Sequence, residues 1–325
     1  MVNKVLVPYK ERHILYTRRM MTMQKALITS RDPKGLHATG LFEAVYNQAQ
    51  LDEDRAQRLN ENGGALQDDI RKAIEKHSAI NQFANEEVAS SYVYPPEYKG
   101  PKPIEEQIAA IAKIFELDPT EAFLNAKNLP ELPKGAEGWF AVPAVEAIAR
   151  KHFPEVTDQD EKYCRAIQLI HVKIAEMRSF YNYRDGQIAP AQLRLLARTA
   201  QALEKIAETQ KGDILIIAAQ LGMRHRGRSV RRAREVFVTN EFGLGSVAFG
   251  AIVLTHPERF VRWEQLHADM AGDEFKDSGA DGQFDGAPFF DFDDGKVRFG
   301  TSYVGTVYGY YGSDSGLLPQ SILVP

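Results

Sequence analysis

The stretch Gly212–Phe275 constrains this chain most, because it sets a run that must be buried directly against a run that must be neutralised. Ile214, Leu215, Ile216 and Ile217 form an unbroken branched apolar run after Gly212 and Asp213. That length and composition predict a strand buried on both faces. Gly222 and Gly227 then bracket a loop carrying Arg224, His225, Arg226 and Arg228. Ser229 is placed to cap a following helix, in which Val230, Ala233 and Phe237 recur at helical spacing.

A strand, an arginine-glycine loop and a capped helix are the parts of an anion site. Helix N-terminal amides favour negative charge, and guanidinium forks match phosphate or carboxylate. Arg224, Arg226, Arg228, Arg231, Arg232 and Arg234 follow one another with no carboxylate until Glu235. Charges this dense repel unless an anion or internal acids neutralise them. The expected binding set is therefore Arg224, Arg226, Arg228, Ser229, Arg231 and Arg232, with nucleic acid or another phosphate-bearing ligand as partner. The competing reading pairs these arginines with acids of the C-terminal region. No lysine-serine/threonine pair follows a glycine at P-loop spacing, so an ATP-type phosphate loop is not supported.

The next cluster is as acidic as this one is basic. Between Asp269 and Asp294 stand nine acids with Lys276 as the only base. Asp273, Asp277 and Asp281 recur every four residues near glycines, a spacing that suits a loop around a divalent cation, although the EF-hand pattern is absent. His256, His267 and Asp269 are the candidate acid/base or metal-assisted catalytic groups. His267 and Asp269 share a side only if their segment is a strand. His256, before Pro257, either projects into a cleft or caps the next helix. Gly243, Gly245 and Gly250 depart from the dinucleotide fingerprint and point instead to close backbone packing.

The 325 residues carry a net charge of −4, and 26% are charged, the balance of an ordinary soluble globular protein. One cysteine, Cys164, excludes an intramolecular disulfide framework and favours a reducing, cytoplasmic setting. No apolar run reaches the ~20 residues of a membrane span. Residues 1–35 hold eight Lys/Arg against Glu11 and Asp32, a basic arm without a signal-peptide core.

The expected class is α+β or α/β, helix-rich in the N-terminal half. The divisions are an irregular helical region over 1–94, a Pro-rich connector over 95–103, a helical region over 104–211 and an α/β region over 212–325. Leu66, Ile70 and Ile74 form a one-sided ladder, and Ile104, Ile108, Ile111 and Phe115 mark an amphipathic helix. Trp139 and Phe140 anchor a short strand. Tyr163, Ile167, Ile170, Ile174, Met177 and Tyr181 form one apolar stripe, and Leu193, Leu196, Ala200, Leu203 and Ala207 form another. Together they predict an antiparallel helical hairpin over 160–208, with Pro190 opening its second helix. A small antiparallel β-element closes the chain, around an Asp-Asp-Gly turn at Asp293–Gly295.

The leading functional expectation is anion binding through the arginines. A metal-assisted phosphoester hydrolase is the alternative, and a self-associating scaffold the second alternative.

Overall fold

The computed structural model describes residues 29–78, 81–276 and 283–323. The N-terminal arm up to residue 28, and Asp277 and Asp281 of the expected cation loop, lie outside the described residues. The chain divides into two compact units, Met1–Ala79 and Ile80–Pro325.

The first unit contains α1 (Pro33–Gln48), α2 (Glu53–Glu61) and α3 (Gly63–Ser78). Asp52 caps α2 by accepting the Arg55 amide at 2.8 Å. The Leu66–Ile74 ladder lies on α3 as expected, although Ile74 itself is exposed.

In the second unit, α4 (Ile104–Phe115) buries Ile108, Ile111 and Phe115 and stops at Glu116, whose φ of 54° no helix continues. Helix α5 (Thr120–Ala126) follows Asp118, which accepts the Thr120 amide at 3.0 Å. Strand β1 (Gly138–Pro143) carries the Trp139–Phe140 anchor, and α6 (Val145–His152) and α7 (Gln159–Met177) come next. After β2 (Phe180–Asn182), β3 (Leu193–Leu195) and α8 (Ala197–Gln210) comes β4 (Ile214–Gln220), the branched apolar run, buried at every residue.

Beyond it lie α9 (Val230–Val236), β5 (Glu241–Gly243) and α10 (Ser246–Thr255), then β6 (His267–Asp269) and β7 (Asp273–Phe275). The tail comprises β8 (Gly286–Asp293), β9 (Lys296–Tyr303), β10 (Tyr311–Ser313), β11 (Ser315–Leu317) and α11 (Gln320–Leu323).

Two sheets organise this unit. The first is antiparallel, in the order β1-β4-β11-β5, with Phe140 opposite Ile217 at its centre. Helices α4 and α10 pack on β1 while α5 and α8 pack on β4, so the central strand is covered and its apolar run is explained. The second sheet is mixed, in the order β10-β6-β8-β7-β3, with β9 joining β8 to β2. Its β8–β9 hairpin turns at Asp294 and Gly295, with φ of 49° and 71°, the positive pair that a two-residue hairpin turn needs. The fold is α+β, with most helices in the N-terminal half.

Helix α10 joins the layers. All ten of its residues are buried, and it packs along α7. A Cβ on Gly250 would stand 2.6 Å from Ile170 Cγ2, so the glycine lets two helices approach more closely than any side chain permits.

Three expectations change. Both helices expected over 160–208 form, but the second begins at Ala197 rather than at Pro190. The connector carries β2, paired with β9, and β3, paired with β7, because its apolar residues find partners at a sheet edge. The Pro-rich stretch expected as a connector lies within the second unit and packs on it: Tyr98 is buried, and the Lys102 amide donates to His256. The C-terminal β-element is larger than expected, since β8, β9 and β10 join a seven-stranded sheet and β11 joins the other sheet. Among the described residues no helix is long and apolar enough to cross a membrane.

Candidate functional site

The arginine-rich stretch folds locally as its residues dictate. Gly222 and Gly227 take φ of 114° and 72°, and Ser229 caps α9 by accepting the Arg232 amide at 3.1 Å. The guanidiniums, however, meet carboxylates of the same unit. Arg231 Nε donates to both oxygens of Glu86 at 2.9 and 2.8 Å, and Ser229 Oγ donates to Glu86 at 2.6 Å. Arg232 reaches Glu87 at 2.5 Å and Glu235 at 2.9 Å, and Arg228 lies 3.4 Å from Glu87. Arg224 Nε donates to buried Glu241 at 3.1 Å, which also receives His225 Nε2 at 2.7 Å and Ser315 Oγ at 2.6 Å. Burial opposes the charge of Glu241, yet these partners hold its carboxyl down at about 2.

Arg226 donates to the Tyr92 carbonyl, and Arg234 to the carbonyls of Ala271 and Asp273. The internal acids are thus Glu86, Glu87, Glu235 and Glu241, not the C-terminal cluster. Backbone bonds from Val88 to Gly227 and from Ser229 to Glu86 bind residues 86–88 alongside this loop as a strap. The signal for it was the Glu86-Glu87 pair in an otherwise uncharged stretch.

The histidines separate. His256 lies between Tyr98 and Phe140, where Nε2 accepts the Lys102 amide at 3.0 Å, and burial pushes its pKa down to about 4. His267 shares one side of β6 with Asp269, as the strand alternative required. Its ring packs between Trp263 and Tyr311, neither nitrogen is hydrogen-bonded, and burial pushes its pKa down to about 3.

The carboxyls differ in partners. Burial pushes Asp269 up to about 7 against the pull of Arg234, and no hydrogen bond among the described residues reaches its carboxyl. Asp314, which sequence reasoning missed, is fully buried with Oδ2 unpartnered. Burial holds it well above the ordinary range, and nearby Asp269 and Asp273 raise it further. Asp273 acts as a helix cap across the chain. Its Oδ2 accepts the Ser246 amide at 2.7 Å and Ser246 Oγ at 2.5 Å, and its Oδ1 accepts Tyr163 OH at 2.6 Å. Burial still raises Asp273 to about 6. Among the described residues no group of three or more His, Cys, Asp or Glu is arranged to hold a metal ion.

Tyr163 leads to the concave feature that the sequence did not reveal. A cleft of about 680 Å³ opens between α6, α8 and the start of α10. Val142, Leu195, Leu203, Leu215, Val247 and Ala248 supply its apolar surface, with Tyr163 beside Gly245. The helical part of the second expected stripe therefore turns to the cleft, and the buried face of α8 is one that the stripe did not include. Ala200, Leu203 and Ala207 line the cleft, while Thr199, Ala202 and Ile206 face the core. Glu146, Asp160, Glu204 and Asp213 stand around the opening with Arg150, which is paired to Asp213 at 2.5 Å. Lys162 pairs with Glu146 at 2.8 Å, leaving Asp160 and Glu204 as the carboxylates without a cation among the described residues.

Comparison with known proteins returns no match: no family model, no curated protein and no solved structure corresponds to this chain.

Proposed function

We propose that the second unit binds a small amphipathic molecule, a cation with an apolar body, in the cleft over Tyr163. The observation that carries this reading is an apolar-lined cleft of about 680 Å³ with four rim carboxylates, of which Asp213 and Glu146 are paired with Arg150 and Lys162 while Asp160 and Glu204 are not paired with a cation among the described residues. That volume suits a small ligand, and a few polar groups on an apolar lining are the usual means of orienting one. The anion reading of Arg224, Arg231 and Arg232 requires those guanidiniums to leave carboxylates they already touch. A cationic ligand in the cleft requires nothing to move. The hydrolase reading needs Asp269 and Asp273 to converge with His256 or His267, and among the described residues no group of three or more His, Cys, Asp or Glu is arranged to hold a metal ion.

The test is an equilibrium titration of the full chain with benzylamine, phenethylamine and tryptamine, each beside the carboxylic acid of matching shape. Amines should bind, with affinity rising with ring size, and the acids should not. Leu203→Trp, which fills the cleft, should abolish binding. Asp160→Asn and Glu204→Gln should each weaken it by about two- to fivefold, the scale of exposed ion pairs. Equal binding of acids and amines, or binding that survives Leu203→Trp, would sink the reading.

A further inference from the structure

A second surface, apart from the cleft, is built from aromatic rings. Tyr310 lies at its middle, stacked with Tyr308 at 5.2 Å and close to Tyr92 at 5.9 Å and Trp263 at 5.6 Å. From Trp263 the band continues through the Arg298 guanidinium, 5.7 Å from the Trp263 ring and 5.8 Å from that of Tyr183. Trp263 is 41% exposed, Tyr308 44%, Tyr92 37% and Tyr183 50%. These rings come from four segments far apart in sequence, so local chain chemistry did not gather them. Isolated exposed rings need no explanation, but a contiguous set marks a binding surface.

The charge of the band narrows the occupant. Arg298 is the cation between its rings, and Asp291 takes that guanidinium in two bonds at 2.7 and 2.8 Å while Asp293 takes a third at 2.5 Å. A nucleic acid needs free cations for its phosphates, and the stacking surfaces that bind single strands lie in positively charged grooves. Here Arg298 is held by two carboxylates, and Arg226, beside Tyr92, is engaged by the Tyr92 carbonyl. Beneath Trp263 the buried His267 ring packs at 4.9 Å and supports the indole from below. Aromatic faces flanked by carboxylates and phenol hydroxyls suit a ligand with apolar C–H faces and hydroxyl edges.

The geometry points to this band as a binding surface for a neutral oligosaccharide, whose sugar faces stack on Trp263, Tyr308 and Tyr310 while its hydroxyls meet the tyrosine and carboxylate oxygens at the edges.

The experiment is calorimetric titration of the full chain with cellohexaose, laminarihexaose and chitohexaose, run beside oligo-dT over a salt series. At least one sugar should bind, with little dependence on salt. Trp263→Ala should cost tenfold or more, Trp263→Phe should restore part of that loss, and Leu203→Trp in the cleft should leave sugar binding intact. Circular dichroism of each variant separates a lost surface from a lost fold. The proposal fails if no sugar binds the folded protein at millimolar concentration. It fails equally if folded Trp263→Ala binds as well as the parent, or if oligo-dT binds with steep salt dependence and the sugars do not.

Discussion

Tyr163 OH donates to Asp273 Oδ1 at 2.6 Å, a bond spanning 110 positions that ties the wall of the cleft to the first turn of a buried helix. Asp273→Ala strips a partner from the Tyr163 hydroxyl and from the Ser246 amide at once. It should destabilise the second unit by about 3 kcal/mol in urea unfolding. Tyr163→Phe should cost about 1 kcal/mol. It should also raise the Asp273 pKa, because that hydrogen bond is one of those holding it down. A carboxyl titration followed by NMR reads the shift.

Asp269 makes stability depend on pH in an unusual direction. Burial raises its folded pKa to about 7, above the unfolded value. Between those two values the folded state holds a proton that the unfolded state has released. The contribution is therefore complete below the unfolded pKa and is lost as pH rises toward 7, at about 1.4 kcal/mol per unit. Asp269→Asn should flatten this slope between pH 4 and 7 and stabilise the protein at pH 7. Thermal denaturation across that range checks both, and an unchanged slope would show that Asp269 ionises normally.

Gly250 and Ile170 should couple. Gly250→Ala places a methyl where Ile170 Cγ2 stands 2.6 Å away, and should cost about 1–3 kcal/mol, the scale of overpacking. Ile170→Ala opens the space at its own cost. The double variant should be more stable than the sum of the single changes implies, and denaturation of the four proteins gives the interaction energy.

The strap depends on Glu86. Its carboxyl lies below the usual glutamate range because Arg231 hydrogen-bonds it, with Ser229 adding a second bond. Glu86→Ala should increase hydrogen exchange at Val88 and Ser229, whose amides make the strap's backbone bonds, by roughly tenfold. Amides of β4 should be unaffected. If Val88 exchanges at the parent rate, the backbone pairing holds the strap without the ion pair.

What the sequence disclosed was local. Ile214–Ile217 read as a buried strand because four branched residues without polar relief have no other place. Ser229 read as a cap because its hydroxyl needs only the amide three residues on. Gly243, Gly245 and Gly250 read as close packing because their spacing fits no phosphate loop. What stayed hidden was distant pairing. The arginines were visible as charges in need of neutralisation, but Glu86 stands 145 positions from Arg231, and no spacing rule reaches that far. Leu203 and Ala207 lie on an apolar stripe whichever surface they face, so periodicity could not distinguish cleft from core. Tyr163 looked like packing until Asp273 was found against its hydroxyl.

The strap also acts as a built-in counterion. Residues 86–87 are covalently upstream of everything they neutralise, so a chain beginning after Ser90 would lack both carboxylates while the arginine loop kept the Glu241 partners of Arg224 and His225. Arg228 and Arg231 would lose their carboxylate partners, and Arg232 would keep only Glu235. The shortened chain should then adsorb to phosphocellulose at salt concentrations where the intact chain flows through. In the whole protein the affinity for anions that the arginines suggest is already satisfied from within.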